Sequence, residues 1–365
     1  MKTIDLAKKL ISIDSVDSKP EILDFIEPLL HAKGVTIKRV KKNNVENLIA
    51  FKKEIGKKLL FNAHYDTIPA GDWKTDPFKP RVTGDRLYGL GSCDMKAGLA
   101  AEINAFLRLA SQELSGSVYL AIVGDEELGS GKNGAQAVIS HLPKPDFVVT
   151  GEPSDLKIIR GQKSLVELKI ITKGKAIHVD RVEFGVNAIK KMFKLLNYLS
   201  SRFSTEDGLE DDRFYKKTMN IGMISGGHAA NIVPDYCEAI VDFRLPPSLN
   251  VKSFIKDFEL LAEQLDFTFT TQAVSQGFVE PKDAFLVKKS VDSLRELKVF
   301  PELLKESGAS DARFFYELGS QVIDLGPGPE SLAHCAEEFV SIRETLIAEE
   351  FYFNLGRKLL GEKHG

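Results

Sequence analysis

Four short, continuously apolar runs in this 365-residue chain lead into His, Asp or Glu, side-chain types able to bind metals or move protons. Leu59-Leu60-Phe61 runs into Asn62-Ala63-His64-Tyr65-Asp66, and Val118 to Val123 runs into Gly124-Asp125-Glu126-Glu127. Phe147-Val148-Val149 runs into Thr150-Gly151-Glu152, and Val322 to Leu325 runs into a Gly-Pro-Gly-Pro loop that reaches His334. Continuous rather than alternating apolar character predicts strands buried on both faces of an α/β sheet. In open α/β sheets, ligands bind beyond the carboxyl ends of the strands. Any one polar strand end is explained by a turn or a cap; four carrying His, Asp or Glu point to a site.

Helical spacing of apolar residues predicts helices over 3–11 and 20–33, the second ending at Gly34, with further helices over 95–110 and 131–141. The middle of the chain has a different rhythm: strand 164–172, helix 184–201, strands 218–225 and 235–243, helix 250–265, strand 266–272. That order, β-α-β-β-α-β, is a ferredoxin-like split unit. At about 150 residues per domain the length suggests two domains. We expect a catalytic domain of residues 1–162 and 274–365, with residues 163–273 inserted as a smaller domain. The acidic stretch 203–213 reads as a surface loop.

Composition excludes several classes. A 43% apolar and 28% charged chain is ordinary globular protein, not a disordered one. A net charge of −3 gives no pull toward nucleic acid. The basic stretch from Lys38 to Lys42 lacks aromatic residues for base stacking and reads as a solvated strand edge or turn. No apolar run is long enough to cross a bilayer, and the N-terminus does not read as a signal peptide. Cys93, Cys237 and Cys335 are too few and too scattered for a disulfide framework, which fits a reducing cytoplasm. Cys93 and Cys335, each beside a residue singled out below, are expected to be small, half-buried side chains rather than nucleophiles.

Each candidate residue has a plain and a chemical reading. His64 and Asp66 point the same way in an extended segment, so His64 can bind a metal while Asp66 holds its other ring nitrogen; the alternative is a polar strand end. Asp94, after the glycine loop Gly89-Leu90-Gly91, is either a helix N-cap or a carboxylate bridging two cations. Glu126 and Glu127 repel each other and want compensating cations, one as ligand and one as general base toward water, unless both are solvated. Glu152 is a ligand or a turn residue, and His334 a ligand or a structural loop histidine. Taken together, two histidines and three carboxylates, with Glu126 beside them, suit two zinc ions; nitrogen and oxygen donors without thiolate also permit cobalt or manganese.

The chain resembles the M20 zinc metallopeptidases, the acetylornithine deacetylase and succinyl-diaminopimelate desuccinylase group. The similar segments are FNAHYDTIPAGDWKTDPF, DRLYGLGSCDMKAGLAA, VGDEELGSG, TGEPSDL, KGKAIHV, NIVPDYCEAIVDFRLPP, SGASDARFF and LGPGPESLAHCAEEFV, in family order. The resemblance implies a zinc-exopeptidase-like α/β catalytic domain with a mixed, mainly parallel sheet flanked by helices, plus the inserted ferredoxin-like dimerisation or lid domain. It implies that His64 and Glu152 bind one zinc, Glu127 and His334 the other, and that Asp94 bridges them across a cis Asp94–Met95 peptide. Asp66 would orient His64 and Glu126 would be the general base. The resemblance further implies a homodimer through residues 163–273, with His178 reaching across it to the oxyanion. Asn231 and Arg244 match substrate-contacting positions.

Within the group, DFRLPPS and LGPGPESLAHCAEEFV look like the acetylornithine and acetylcitrulline deacetylases, and Lys163 fits a lysine often found in them. SGASDARFF looks like the desuccinylases, whose GRRGS is replaced here by Gly161-Gln162-Lys163-Ser164-Leu165. The leading expectation is therefore a cytoplasmic di-zinc amidohydrolase acting on a small N-acyl amino acid. N-acetylornithine, acetylcitrulline or acetyllysine in arginine or lysine biosynthesis leads; a desuccinylase or dipeptidase is the alternative. A non-catalytic binding protein on this fold would have lost the base or a ligand, and a structural site would hold one metal.

Overall fold

The structure, a computed structural model, describes residues 1–127, 131–203 and 213–361. The chain divides into two compact units. The first comprises Met1–Gly161, Val279–Lys305 and Ser310–Gly365; the second comprises Gln162–Phe278 with Glu306–Ala309. The return of 306–309 to the second unit lies outside the boundaries expected from sequence. Its cause is local: the Lys163 N–H donates to the Glu306 carbonyl (3.2 Å) and Arg244 Nη1 to the Ser307 carbonyl (3.5 Å).

The first unit is built on a mixed sheet. Its central strands Ser117–Val123, Lys58–His64, Phe147–Thr150 and Gln321–Asp324 are mutually parallel. They are buried almost throughout, as unbroken apolar runs require. A hairpin of Thr36–Lys42 and Val45–Lys52 extends one side antiparallel, and Ile158–Gln162 pairs antiparallel on the other. The basic stretch forms that outer edge strand, where Arg39 is paired with Asp24, Glu27 and Glu46. Helices Thr3–Ile11, Ala97–Ala110, Phe285–Glu296 and Ile342–Leu360 pack with the sheet into one apolar core. The helix expected over 20–33 is shorter, α-helical over Glu21–Ile26 and 3₁₀ over Glu27–Leu30. Pro28 explains the change, since it has no N–H to continue the α ladder.

The second unit has strand Ser164–Lys173, helix Ala188–Phe203, strands Thr218–Gly226 and Tyr236–Leu245, helix Val251–Leu265 and strand Thr268–Ser275. Its antiparallel sheet runs in the order Thr218–Gly226, Tyr236–Leu245, Ser164–Lys173, Thr268–Ser275. This is the split β-α-β-β-α-β arrangement, with its own apolar core. The helix expected to start at 184 starts at Ala188, because Val179–Phe184 forms a 3₁₀ turn. Residues 204–212 of the expected acidic loop lie outside the described residues. Among the described residues no helix is long and apolar enough to cross a membrane.

Candidate metal centre

Parallel register brings the polar strand ends together. His64 lies opposite Val123, and Asn62 opposite Thr150. Glu126, Glu127 and Glu152 therefore emerge at the same edge of the sheet as His64. Asp125, with a positive φ of 66°, turns the chain just past the strand. The Ser18 hydroxyl accepts its N–H, and its carboxylate accepts the Asn133 N–H (3.0 and 2.9 Å). That turn delivers Glu126 and Glu127. His334 sits in a loop, also with a positive φ.

Asp94 stands between the two histidines. Its Oδ1 is 2.9 Å from His64 Nε2, and its Oδ2 is 3.4 Å from His334 Nε2. Each histidine has its own glutamate: Glu152 Oε2 is 3.7 Å from His64 Nε2, and Glu127 Oε2 is 2.8 Å from His334 Nε2. The N-cap reading of Asp94 is not realised, because the helix starts at Ala97 with Lys96 at the cap. The Asp94–Met95 peptide is cis. On its other face, His64 Nδ1 is 3.0 Å from the Asp66 backbone carbonyl and 3.6 Å from its carboxylate. The carbonyl is the closer partner, so Nδ1 carries the proton and Nε2 faces Asp94.

The electrostatics are those of crowded carboxylates. Burial pushes Glu126 well above the usual carboxylate range, and the charge of Glu152 adds to this. Burial likewise raises Glu152. Burial opposes charge on Asp94, yet contacts with His334 and His64 hold it well below its ordinary value. His64 is raised despite burial, by the charge of Glu152 and by its contacts with Asp66, Asp94 and Glu152. Hydrogen bonds to Asp94 and Glu127 raise His334 to about 10. Positive charge is thus drawn to the histidines from both sides. Glu152 Oε1 and Asp66 Oδ1 are buried without a hydrogen-bond partner, a costly state that cations relieve. His64, Asp94 and Glu127 offer donor atoms all within 4.8 Å of one another. The donor set fits divalent cations of the zinc, cobalt and manganese type.

Three buried charged residues near the site escaped the reading of strand ends. Asp311 is fully buried with neither carboxylate oxygen hydrogen-bonded, and burial raises it to about 7. Arg313, also buried, donates to the Ser310 carbonyl (2.6 Å), and its charge acts on Glu126. Both lie in SGASDARFF, a motif quoted above without singling out a residue. Glu338, buried in AHCAEEFV, contacts the backbone at Asp94. Neither Cys93 nor Cys335 is half-buried: Cys93 is buried and Cys335 is exposed, while Cys237 is also buried. Desolvation pushes the Cys93 thiol far up, against a nucleophilic role.

The remaining candidates lie in the second unit. His178 is exposed, with Nδ1 2.8 Å from Asp180 Oδ1. The Asn231 carbonyl accepts the Val179 N–H (3.0 Å), which places Asn231 beside His178. Arg244 is held by both oxygens of Asp242 (2.8 and 3.1 Å). Lys163 is buried, and its Nζ donates to the Lys216 carbonyl (2.7 Å).

The chain is similar to known proteins over nearly its whole length. It is 30% identical over 376 residues, 98% of each chain, to a succinyl-diaminopimelate desuccinylase of Buchnera aphidicola subsp. Acyrthosiphon pisum (strain Tuc7). Its fold matches an M20 family metallo-carboxypeptidase, Sso-CP2, from Sulfolobus solfataricus, with a TM-score of 0.84, 19% identity and 99% of each chain covered. It also matches the YXEP protein of Bacillus subtilis, described as a dinuclear metal binding peptidase, with a TM-score of 0.73, 16% identity and 98% and 97% covered. Relatives bearing the desuccinylase name favour that alternative over the acetylornithine deacetylase expected first. Residues 60–358 match Peptidase family M20/M25/M40, and the chain belongs to this family of metal-dependent hydrolases of amide bonds.

Proposed function

We propose that the protein is a two-zinc amidohydrolase that removes the succinyl group from N-succinyl-diaminopimelate. The observation that carries the two-metal reading is the placement of Asp94, one oxygen toward His64 and the other toward His334, each histidine with its own glutamate. The substrate rests on relatives of that name that align along nearly the whole chain.

In this reading His64 and Glu152 would hold one ion, His334 and Glu127 the other, and Asp94 would serve both. Zinc held there would supply Lewis-acid polarisation of the amide carbonyl and would lower the pKa of water. Glu126 takes the proton of the attacking water on its carboxylate and passes it to the leaving amine nitrogen. Burial raises its affinity for a proton, which favours holding that proton until the amine leaves. His178 stabilises the oxyanion and Asn231 contacts the substrate. Arg244, with one edge fixed by Asp242, offers the other to a substrate carboxylate. Lys163 supports substrate binding from within the same unit. His178 acts across a homodimer, whose interface we assign to the second unit; its outer strand Thr218–Gly226 exposes Ile221, Met223 and Ile224. Three free cysteines accord with a reducing cytoplasm.

Removal of an acetyl group from ornithine is the second reading, favoured by Lys163 where desuccinylases carry an arginine pair. Metal analysis tests the centre itself: about two ions per chain after zinc loading supports it, and one or none refutes it.

A further inference from the structure

Glu338, four residues beyond His334, is 2% exposed. Its carboxylate accepts three backbone N–H groups from the loop that carries Asp94: Gly91 on Oε2 (3.0 Å), and Cys93 and Asp94 on Oε1 (2.5 and 2.9 Å). Its own carbonyl accepts the Gly89 N–H (3.3 Å). The two segments also leave one ladder, Arg86–Tyr88 against Phe339–Ser341, with Tyr88 opposite Phe339. Gly91 takes φ 74°, and a Cβ there would lie 2.6 Å from Thr67 Cγ2, so the loop can follow this course only with glycine. The loop is thus shaped around the Glu338 carboxylate.

We infer that Glu338 is a positioning residue of the metal centre, setting Asp94 in register with His334. The inference rests on the two-metal reading proposed above. The two sides of the centre are built differently. His64 ends a paired strand, and Glu152 follows one by two residues. His334 is ten residues past the end of Gln321–Asp324 and depends on its loop. Glu338 joins that loop to Asp94 and holds the His334–Asp94 distance, so its loss weakens the His334 side more than the His64 side.

The test is zinc titration of the chelator-stripped full chain, read by calorimetry, alongside the thermal midpoint of each stripped protein. Outer partners of metal ligands typically change affinity about 10–100-fold. Glu338→Ala is expected to keep one tight zinc and lose about that factor at the second. Glu338→Gln keeps an oxygen for the Cys93 and Asp94 N–H groups and is expected to fall between Ala and wild type; it carries the test should the alanine variant not fold. Two unchanged zinc affinities in a folded variant, whether or not its midpoint has fallen, would reduce Glu338 to a structural clasp and overturn the inference alone. A wild-type chain that takes up fewer than two zinc ions would overturn the two-metal reading, and this inference with it.

Discussion

His64 Nδ1 is held by the backbone carbonyl of Asp66 rather than by its carboxylate, 3.0 Å against 3.6 Å. The Asp66 carboxylate turns instead to the loop after the next strand, where Oδ2 accepts the Glu127 N–H at 3.3 Å. Asp66→Ala should therefore preserve the imidazole tautomer. We predict a loss of metal affinity no greater than about tenfold, the low end for such partners, with a larger fall in kcat as the loop bearing Glu126 and Glu127 loosens. Zinc titration and kcat, measured together, check this; a protein stripped of zinc by the substitution would contradict it.

Glu126 makes a separate prediction, because the role proposed for it is proton transfer and not metal binding. Glu126→Gln should lower kcat by about 10²–10⁴-fold, the usual worth of a general base, with zinc content unchanged. Turnover within tenfold of wild type would remove Glu126 from the mechanism.

Glu102 gives a pH dependence. It is fully buried in helix Ala97–Ala110, its carboxylate beside the Gly151 backbone without a well-formed hydrogen bond. Burial, reinforced by the charge of Glu152, raises its affinity for a proton well above normal. The folded chain then binds this proton more tightly than the unfolded chain. The resulting stability is complete below the unfolded carboxyl pKa of about 4.3 and is lost as pH rises toward the folded value. Glu102→Gln should flatten that decline and raise Tm at pH 8 by about 2–4 °C, with little change at pH 4. Melting curves of the chelator-treated proteins at both pH values decide it, and an equal shift at both would count against the assignment.

The outer strand of the second unit supplies a prediction about assembly. Met223 and Ile224 are exposed side by side in Thr218–Gly226. Charge on an edge strand blocks edge-to-edge pairing. A Met223→Lys, Ile224→Glu double variant should sediment as a monomer and lose at least about tenfold in kcat, since one oxyanion-hole donor is worth about 10²–10³. A fully active monomer would exclude a cross-dimer role for His178.

Much of this was legible because local signals coincide with global ones. Unbroken apolar runs gave the parallel strands, and the residues just past them, His64, Glu126, Glu127 and Glu152, needed only strand register to meet. What the sequence concealed is long-range. Glu338 meets Asp94 across 244 positions, and no periodicity encodes that contact. Asp311 and Arg313 flank the start of a short helix, Ala312–Glu317, where a charged pair reads as surface until burial is seen. Spacing places Asp66 beside the His64 ring but does not say that its backbone carbonyl lies nearer to Nδ1 than its carboxylate. The acyl group is less legible for a different reason: a lysine and an arginine pair are both cationic, and local sequence does not say which acyl substrate such a cation would meet.

The most direct test of the central claim is amine release by the zinc-loaded protein from N-succinyl-diaminopimelate and N-acetylornithine, side by side, with Glu126→Gln as the blank. The two-zinc desuccinylase reading predicts zinc-dependent release with kcat/KM at least about tenfold higher for the succinyl substrate, a difference of about 1.4 kcal/mol in transition-state binding. Preference for N-acetylornithine, or no release from either by protein carrying two zinc ions, would contradict it.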